Sequence, residues 1–189
     1  MSQRESGYIR KERDAYETPE WVTACLLPHL PRKPVAVWEP ACGTGKMVRA
    51  LSSGLPEAEV YGCDIEPGHG FICADFLGET PRVSVDDMDA IITNPPYALA
   101  SEFCDRALTR MRGAGGVVAM LLRCDFDHAK GRARLFRDHP AFAKKLVLMR
   151  RIVWFVENNG RPRASPSFNH AWYIWDWRHG GPPVIGYAA

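Results

Sequence analysis

"VWEPACGTGKM", Val37 to Met47, decides the fold. An apolar run stops at an acid and a proline, passes through Gly-x-Gly and enters "GKMVRALSSG", which has helical spacing. A strand that turns on glycines into a helix is the opening unit of a parallel sheet covered by helices. Two familiar versions of that loop fail here on particular residues. A phosphate loop needs Gly five residues before Gly45 and Ser or Thr after Lys46, where this chain has Pro40 and Met47. A dinucleotide fingerprint needs a third glycine where Val48 stands.

A tight turn survives, with Glu39 at the end of its strand and Asp64 closing the next one. Gly43 and Asp64 are separated by about twenty residues, the distance that brings an acid onto a ribose. Glu39 beside the loop attracts a cation and repels a pyrophosphate, which favours S-adenosylmethionine over a nucleotide phosphate. In "ICADF", Asp75 can accept the adenine amino group, with Ile65 or Phe76 against the ring faces.

Outward from this unit the chain alternates apolar runs with turn-rich or amphipathic stretches. The runs are "VAVWEP", "EVYGCDI", "GFICADF", "MDAIITN", "GGVVAMLL", "KLVLMRRIVWF" and "AWYIWDW", and "LASEFCDRALTRMRG" has helical spacing. They predict a doubly wound α/β domain. Ahead of it, Thr18 as N-cap and Pro19 at the first helical position predict a helix from about residue 19 to 27. The polar "VENNGRPRASPSFNH" between the last two runs reads as a hairpin connection or functional loop, making the final pair antiparallel at one sheet edge.

A length of 189 residues with 46% apolar composition suits one domain. Residues 1–15 read as a polar N-terminal segment and 16–189 as a single domain. No apolar run reaches the roughly eighteen residues of a membrane span. A soluble, cytoplasmic protein with no membrane partner is the expectation. The six cysteines are scattered without metal-ligand spacing, so they read as buried reduced thiols, and no metal is expected. Net charge is only +2, yet nine Lys and Arg between Arg123 and Arg151 face only Asp125, Asp127 and Asp138. That run is either a solvated surface or a phosphate-binding face.

"IITNPPY", Ile91 to Tyr97, is a buried run cut off by two prolines, which offer no backbone donors and fix φ. In order, "EPACGTG", Asp64, Asp75 and "NPPY" resemble the amino-methyltransferases that modify an exocyclic nitrogen, above all the DNA adenine-N6 methyltransferases. "YETP" at 16–19 is similar to that family's N-terminal cofactor-contacting segment, and "SFNHAWYIWDW" to the last strand of compact, phage-type members. The resemblance implies a Rossmann-like class I fold: a seven-stranded, mostly parallel sheet with an antiparallel strand near one edge. It implies S-adenosylmethionine as cofactor, held by Tyr16, Thr18, Glu39, Pro40, Ala41, Cys42, Gly43, Gly45, Asp64, Ile65, Asp75, Phe76 and Asn94. It implies DNA as partner and Asn94, Pro95, Pro96 and Tyr97 as the catalytic set, acting on a flipped base.

The residue types suit the chemistry. An aromatic amine is a poor nucleophile, because its lone pair is delocalised into the ring. Acceptors at the Asn94 side chain and the Pro95 carbonyl would favour a more pyramidal nitrogen. Sequence-specific members carry a separate recognition region, for which this chain has no spare residues. Recognition would fall to loops, with Arg161, Arg163 and Phe168 as substrate contacts, or to a protein partner or self-association. RNA amines, cytosine N4, a protein glutamine and a non-catalytic cofactor- or DNA-binding subunit are the competing readings.

Overall fold

The computed structural model describes residues 17–78, 87–154 and 168–189. Helix α1 (Glu20–Leu26) precedes strand β1 (Ala36–Glu39), followed by α2 (Lys46–Gly54), β2 (Glu59–Asp64) and the short β3 (Ile72–Cys73). Next come β4 (Ala90–Thr93), α3 (Ala100–Ala114), β5 (Val117–Arg123), β6 (Phe142–Leu148), β7 (His170–Asp176) and β8 (Val184–Ala188). They form one sheet of order β3-β2-β1-β4-β5-β7-β6-β8, parallel except for β7.

β4, β7 and all of β5 but its last residue are buried. This is why they read as continuous apolar runs and not as alternating ones. One face of the sheet packs Val37, Ile92, Leu121 and Trp172 against Val22 and Leu26 of α1 and Met47 and Leu51 of α2. The other packs Trp38, Ile91, Met120 and Trp175 against Phe103, Ala107 and Met111 of α3. α3 stops at Gly115, whose φ of 60° is the left-handed cap geometry that favours glycine.

The sheet corrects several expectations. The antiparallel strand expected near one edge is β7, which pairs with β6 as expected but on its other side meets β5, and the outermost strand is an eighth, β8, parallel to β6. β8 escapes pattern reading because Val184, Ile185 and Tyr187 are 52, 65 and 63% exposed, so no buried face repeats. α1 begins at Glu20 with Pro19 in the N-cap position, in extended geometry and without a side-chain cap. Thr18 is buried one residue further out.

Among the described residues, four of the nine basic side chains in the run are paired with carboxylates. Arg134 pairs with Asp105 of α3, Arg137 with Asp138, Lys145 with Asp127 and Arg123 with Asp125. Arg132 lies over Phe126 and Arg150 over Trp21. All six cysteines are free. Cys42, Cys63 and Cys104 are buried as expected, while Cys73 is exposed on the short β3. Among the described residues no helix is long and apolar enough to cross a membrane, and no cluster of His, Cys, Asp and Glu could hold a metal.

Candidate active site

β1 and β4 are neighbours, with Trp38 opposite Ile91, but the chain leaves them in opposite directions across the sheet. From β1 it passes through α2 to β2 on one side, and from β4 through α3 to β5 on the other. Such a reversal opens a crevice beyond the carboxyl ends of the strands. The glycine loop lines it from β1 and the Asn-Pro-Pro-Tyr turn from β4.

The glycine loop is fastened at several points. Cys42 N–H donates to the Cys63 carbonyl (3.0 Å) and Gly45 N–H to the Cys42 carbonyl (2.8 Å). Asp64 holds the loop to the tip of β2: its Oδ2 accepts from Gly43 N–H at 2.7 Å and its Oδ1 from Glu66 N–H at 2.9 Å. Each carboxylate oxygen has a second lone pair, so hydroxyls can still be accepted there. Glu17 closes the loop from the other side, accepting from the Thr44 hydroxyl (2.5 Å) and pairing with Lys46 (2.6 Å). Lys46 thus spends its charge on the protein, in keeping with the failed phosphate-loop match.

The two loop glycines have different reasons. Gly43 has φ of 50°, and a Cβ built there would meet nothing within 4 Å, so its backbone is open to close approach by a ligand. Gly45 has φ of 82°, but a Cβ there would stand 2.3 Å from the Phe71 ring, which also covers Gly62. Gly45 is required by packing as well as by the turn.

Glu39 is 1% exposed. Thr93, at the end of β4, donates its hydroxyl to Glu39 Oε1, while Oε2 has no partner among the described residues. Burial, opposed by the Thr93 bond and reinforced by Asp64, pushes the Glu39 carboxyl up to about 8. The carboxyl is mostly protonated at neutral pH. This corrects the expectation of a standing negative charge beside the loop: Glu39 presents one until a cation draws its proton off.

β4 ends at Thr93, and Pro96 turns the chain directly into a 3-10 turn over Tyr97–Leu99 that leads into α3. The Leu99 N–H donates to the Pro96 carbonyl at 2.9 Å. Asn94, Pro96 and Tyr97 are half-buried and Pro95 is buried. The Tyr97 ring stacks on His170, with centroids 5.9 Å apart and planes 28° from parallel. One face of the expected base platform is therefore already covered. Trp154 meets the same imidazole edge-on at 5.2 Å. His170 is 2% exposed, its ring nitrogens have no partner among the described residues, and burial beside Arg123 lowers it to about 4.

The structure thus brings Glu39, Pro40, Ala41, Cys42, Gly43 and Gly45 to the crevice from β1 and Asn94 to Tyr97 from β4. Thr18 lies beside Glu17, which is tied to the glycine loop. Ile65 is 53% exposed beyond β2, and exposed Asp75 accepts from Leu77 N–H (2.9 Å) in a turn. Phe76 departs from expectation. It is 2% exposed, 5.1 Å from Trp38 and 4.8 Å from Phe103, and belongs to the core, where it has no open face for an adenine. Tyr16, Arg161 and Arg163 lie outside the described residues. Phe168 is half-buried under the Arg123 guanidinium. Glu17, Thr93 and His170 were not expected. Glu17 stands within "YETP" and His170 within "SFNHAWYIWDW", but only the fold shows what they touch.

No protein-family model and no curated protein matches the chain in sequence. Solved structures do match it in shape. A putative RNA methyltransferase from Pyrococcus horikoshii superposes with a TM-score of 0.53 at 16% identity over 85% of each chain. The plantazolicin methyltransferase BpumL, in complex with a triazolic desmethylPZN analog and SAH, superposes with a TM-score of 0.51 at 15% identity over 83% of each chain. Its complex with SAH alone gives 0.50 at 14%, over 83% of this chain and 81% of that one. The crevice between β1 and β4 therefore sits in the Rossmann-like fold of these methyltransferases.

Proposed function

We propose that the chain is an S-adenosylmethionine-dependent methyltransferase acting on the N6 amine of adenine in DNA. The observation that carries the reading is the position of the Asn94–Tyr97 turn. It leaves the strand adjacent to the glycine loop, at the reversal of the sheet.

The residues present fit the cofactor. Gly43 leaves open space over its backbone, the buried Glu39 has an oxygen without a partner among the described residues, and Asp64 and Ile65 stand at the tip of β2. SAH in the BpumL complexes supports the same reading. When bound, S-adenosylmethionine supplies an electrophilic methyl on a sulfonium. The protein's share is alignment and desolvation. The Asn94 side-chain oxygen and the Pro95 carbonyl accept the N–H groups of the amine, and the prolines hold both acceptors in advance. The methylated nitrogen sheds one proton to water. A base in a duplex must first be flipped out, and Tyr97, backed by His170, offers it a stacking surface.

The test is transfer of radiolabelled methyl from S-adenosylmethionine to duplex DNA, single-stranded DNA and RNA, followed by nucleoside mass spectrometry. N6-methyladenine from DNA is the expected product. N4-methylcytosine, or label in RNA alone, would redirect the reading to that amine. No transfer to any nucleic acid, by protein that binds the cofactor, would end it.

A further inference from the structure

We propose that the nucleotide next to the methyl acceptor stacks on a ledge made by Arg123 and Phe168. The inference rests on the nucleic-acid reading above and extends it to a second subsite. The Arg123 guanidinium lies 4.1 Å from the centroid of the Phe168 ring. Asp125 accepts twice along one edge of that guanidinium, from Nε at 3.0 Å and from a terminal nitrogen at 2.7 Å. The bidentate pair fixes the guanidinium plane and answers its charge. With its charge already answered along one edge, the guanidinium has less to offer a phosphate, whereas a nucleobase needs only the flat face. The side chains of Arg123 and Asp125 are 40 and 55% exposed, so the pair is open to solvent.

Position connects the ledge to the methyl acceptor. Arg123 stands directly opposite His170 in the β5–β7 ladder, His170 stacks on Tyr97, and Phe168 is two residues before His170. Tyr97 and the ledge are therefore both joined to His170 at the carboxyl edge of the sheet. The turn beneath is fastened from two other strands. The Tyr173 hydroxyl of β7 lies 3.2 and 3.0 Å from the carbonyls of Arg123 and Cys124. Lys145 of β6 donates to the Cys124 carbonyl at 2.8 Å and to Asp127 at 2.7 Å. Such anchoring costs nothing at the moment of binding and is what a preformed subsite needs.

The experiment compares duplexes containing one mapped target adenine with duplexes in which the base on one side or the other is replaced by an abasic residue. In the wild type, removing the base on one side should lower kcat/KM about five- to a hundredfold, the usual worth of one stacked base. Removal on the other side should cost less. In Phe168→Ala the penalty should shrink to about twofold or less, and Phe168→Trp should keep it, each variant being compared with itself on the two substrates. Arg123→Lys retains the charge but not the plane, and should also lose the penalty. An unchanged penalty in Arg123→Lys and Phe168→Ala would overturn the ledge while leaving DNA methylation standing. No transfer to any nucleic acid by the wild type is a different failure, since it removes the reading and the ledge with it.

Discussion

His170 lies against Tyr97 with ring planes 28° from parallel, and the imidazole is 2% exposed with no partner for its nitrogens among the described residues. An imidazole used in this way acts as an aromatic plate, at the cost of burying two polar atoms. Its contribution to Tyr97 is positional. A stacked aromatic pair is worth about 0.5 to 1.5 kcal/mol beyond burial. His170→Ala should therefore lower kcat about two- to tenfold with cofactor affinity retained, while His170→Phe should keep kcat.

The same residue gives stability a pH dependence. Burial lowers His170 to about 4, from an ordinary value near 6.5. The unfolded chain then binds a proton that the folded one refuses, so stability falls as pH drops from about 6.5 to about 4 and levels off below. The loss attributable to this residue is about 3 kcal/mol. Chemical denaturation at pH 7 and pH 4.5 checks it: His170→Phe should lose less stability between the two than the wild type does.

Glu39 has the opposite sign. Its carboxyl is held protonated up to about pH 8 by burial, so binding a sulfonium beside it should release a proton. Affinity for S-adenosylmethionine should rise with pH to about 8. Affinity for the uncharged thioether product should rise less. In Glu39→Gln the difference between the two slopes should disappear. Titration calorimetry in buffers of different ionisation enthalpy counts the protons directly.

The two loop glycines separate ligand approach from packing. Gly43→Ala meets open space, so its structural cost is the left-handed backbone alone, about 1 to 2 kcal/mol, and its main effect should be weaker cofactor binding. Gly45→Ala drives a methyl into Phe71 and should be the less stable variant. Adding Phe71→Ala to Gly45→Ala should recover part of that loss, and adding it to Gly43→Ala should recover none. Thermal unfolding of the four variants beside the wild type tests this.

How much of this the sequence carries depends on distance along the chain. β4 and its proline turn are legible because an apolar run, two residues without N–H and a helix start are all local signals. The β1 glycine loop is legible for the same reason. The insertion of β7 between β5 and β6 is not, because it depends on register between strands about fifty residues apart, with Val117 opposite Asp176. The neutralisation of Arg134 by Asp105 is another long-range fact, since the two lie 29 residues apart. Glu39 is visible as an acid at a strand end, but its burial against Thr93 comes from strand pairing and reverses its expected charge state. Phe76 fails in the same way, because nothing local says that its ring is enclosed by Trp38 and Phe103.

The central claim is that Asn94 and the turn it opens deliver a methyl group to adenine N6. Mass spectrometry of nucleosides from the DNA of cells expressing the wild type or Asn94→Ala tests it most directly. The account predicts N6-methyladenine above background with the wild type. It predicts a loss of about a hundred- to thousandfold in Asn94→Ala, the size expected when one oriented hydrogen-bonding group is removed from a transition state, with cofactor binding intact in the purified variant. Equal N6-methyladenine from the two proteins would contradict it.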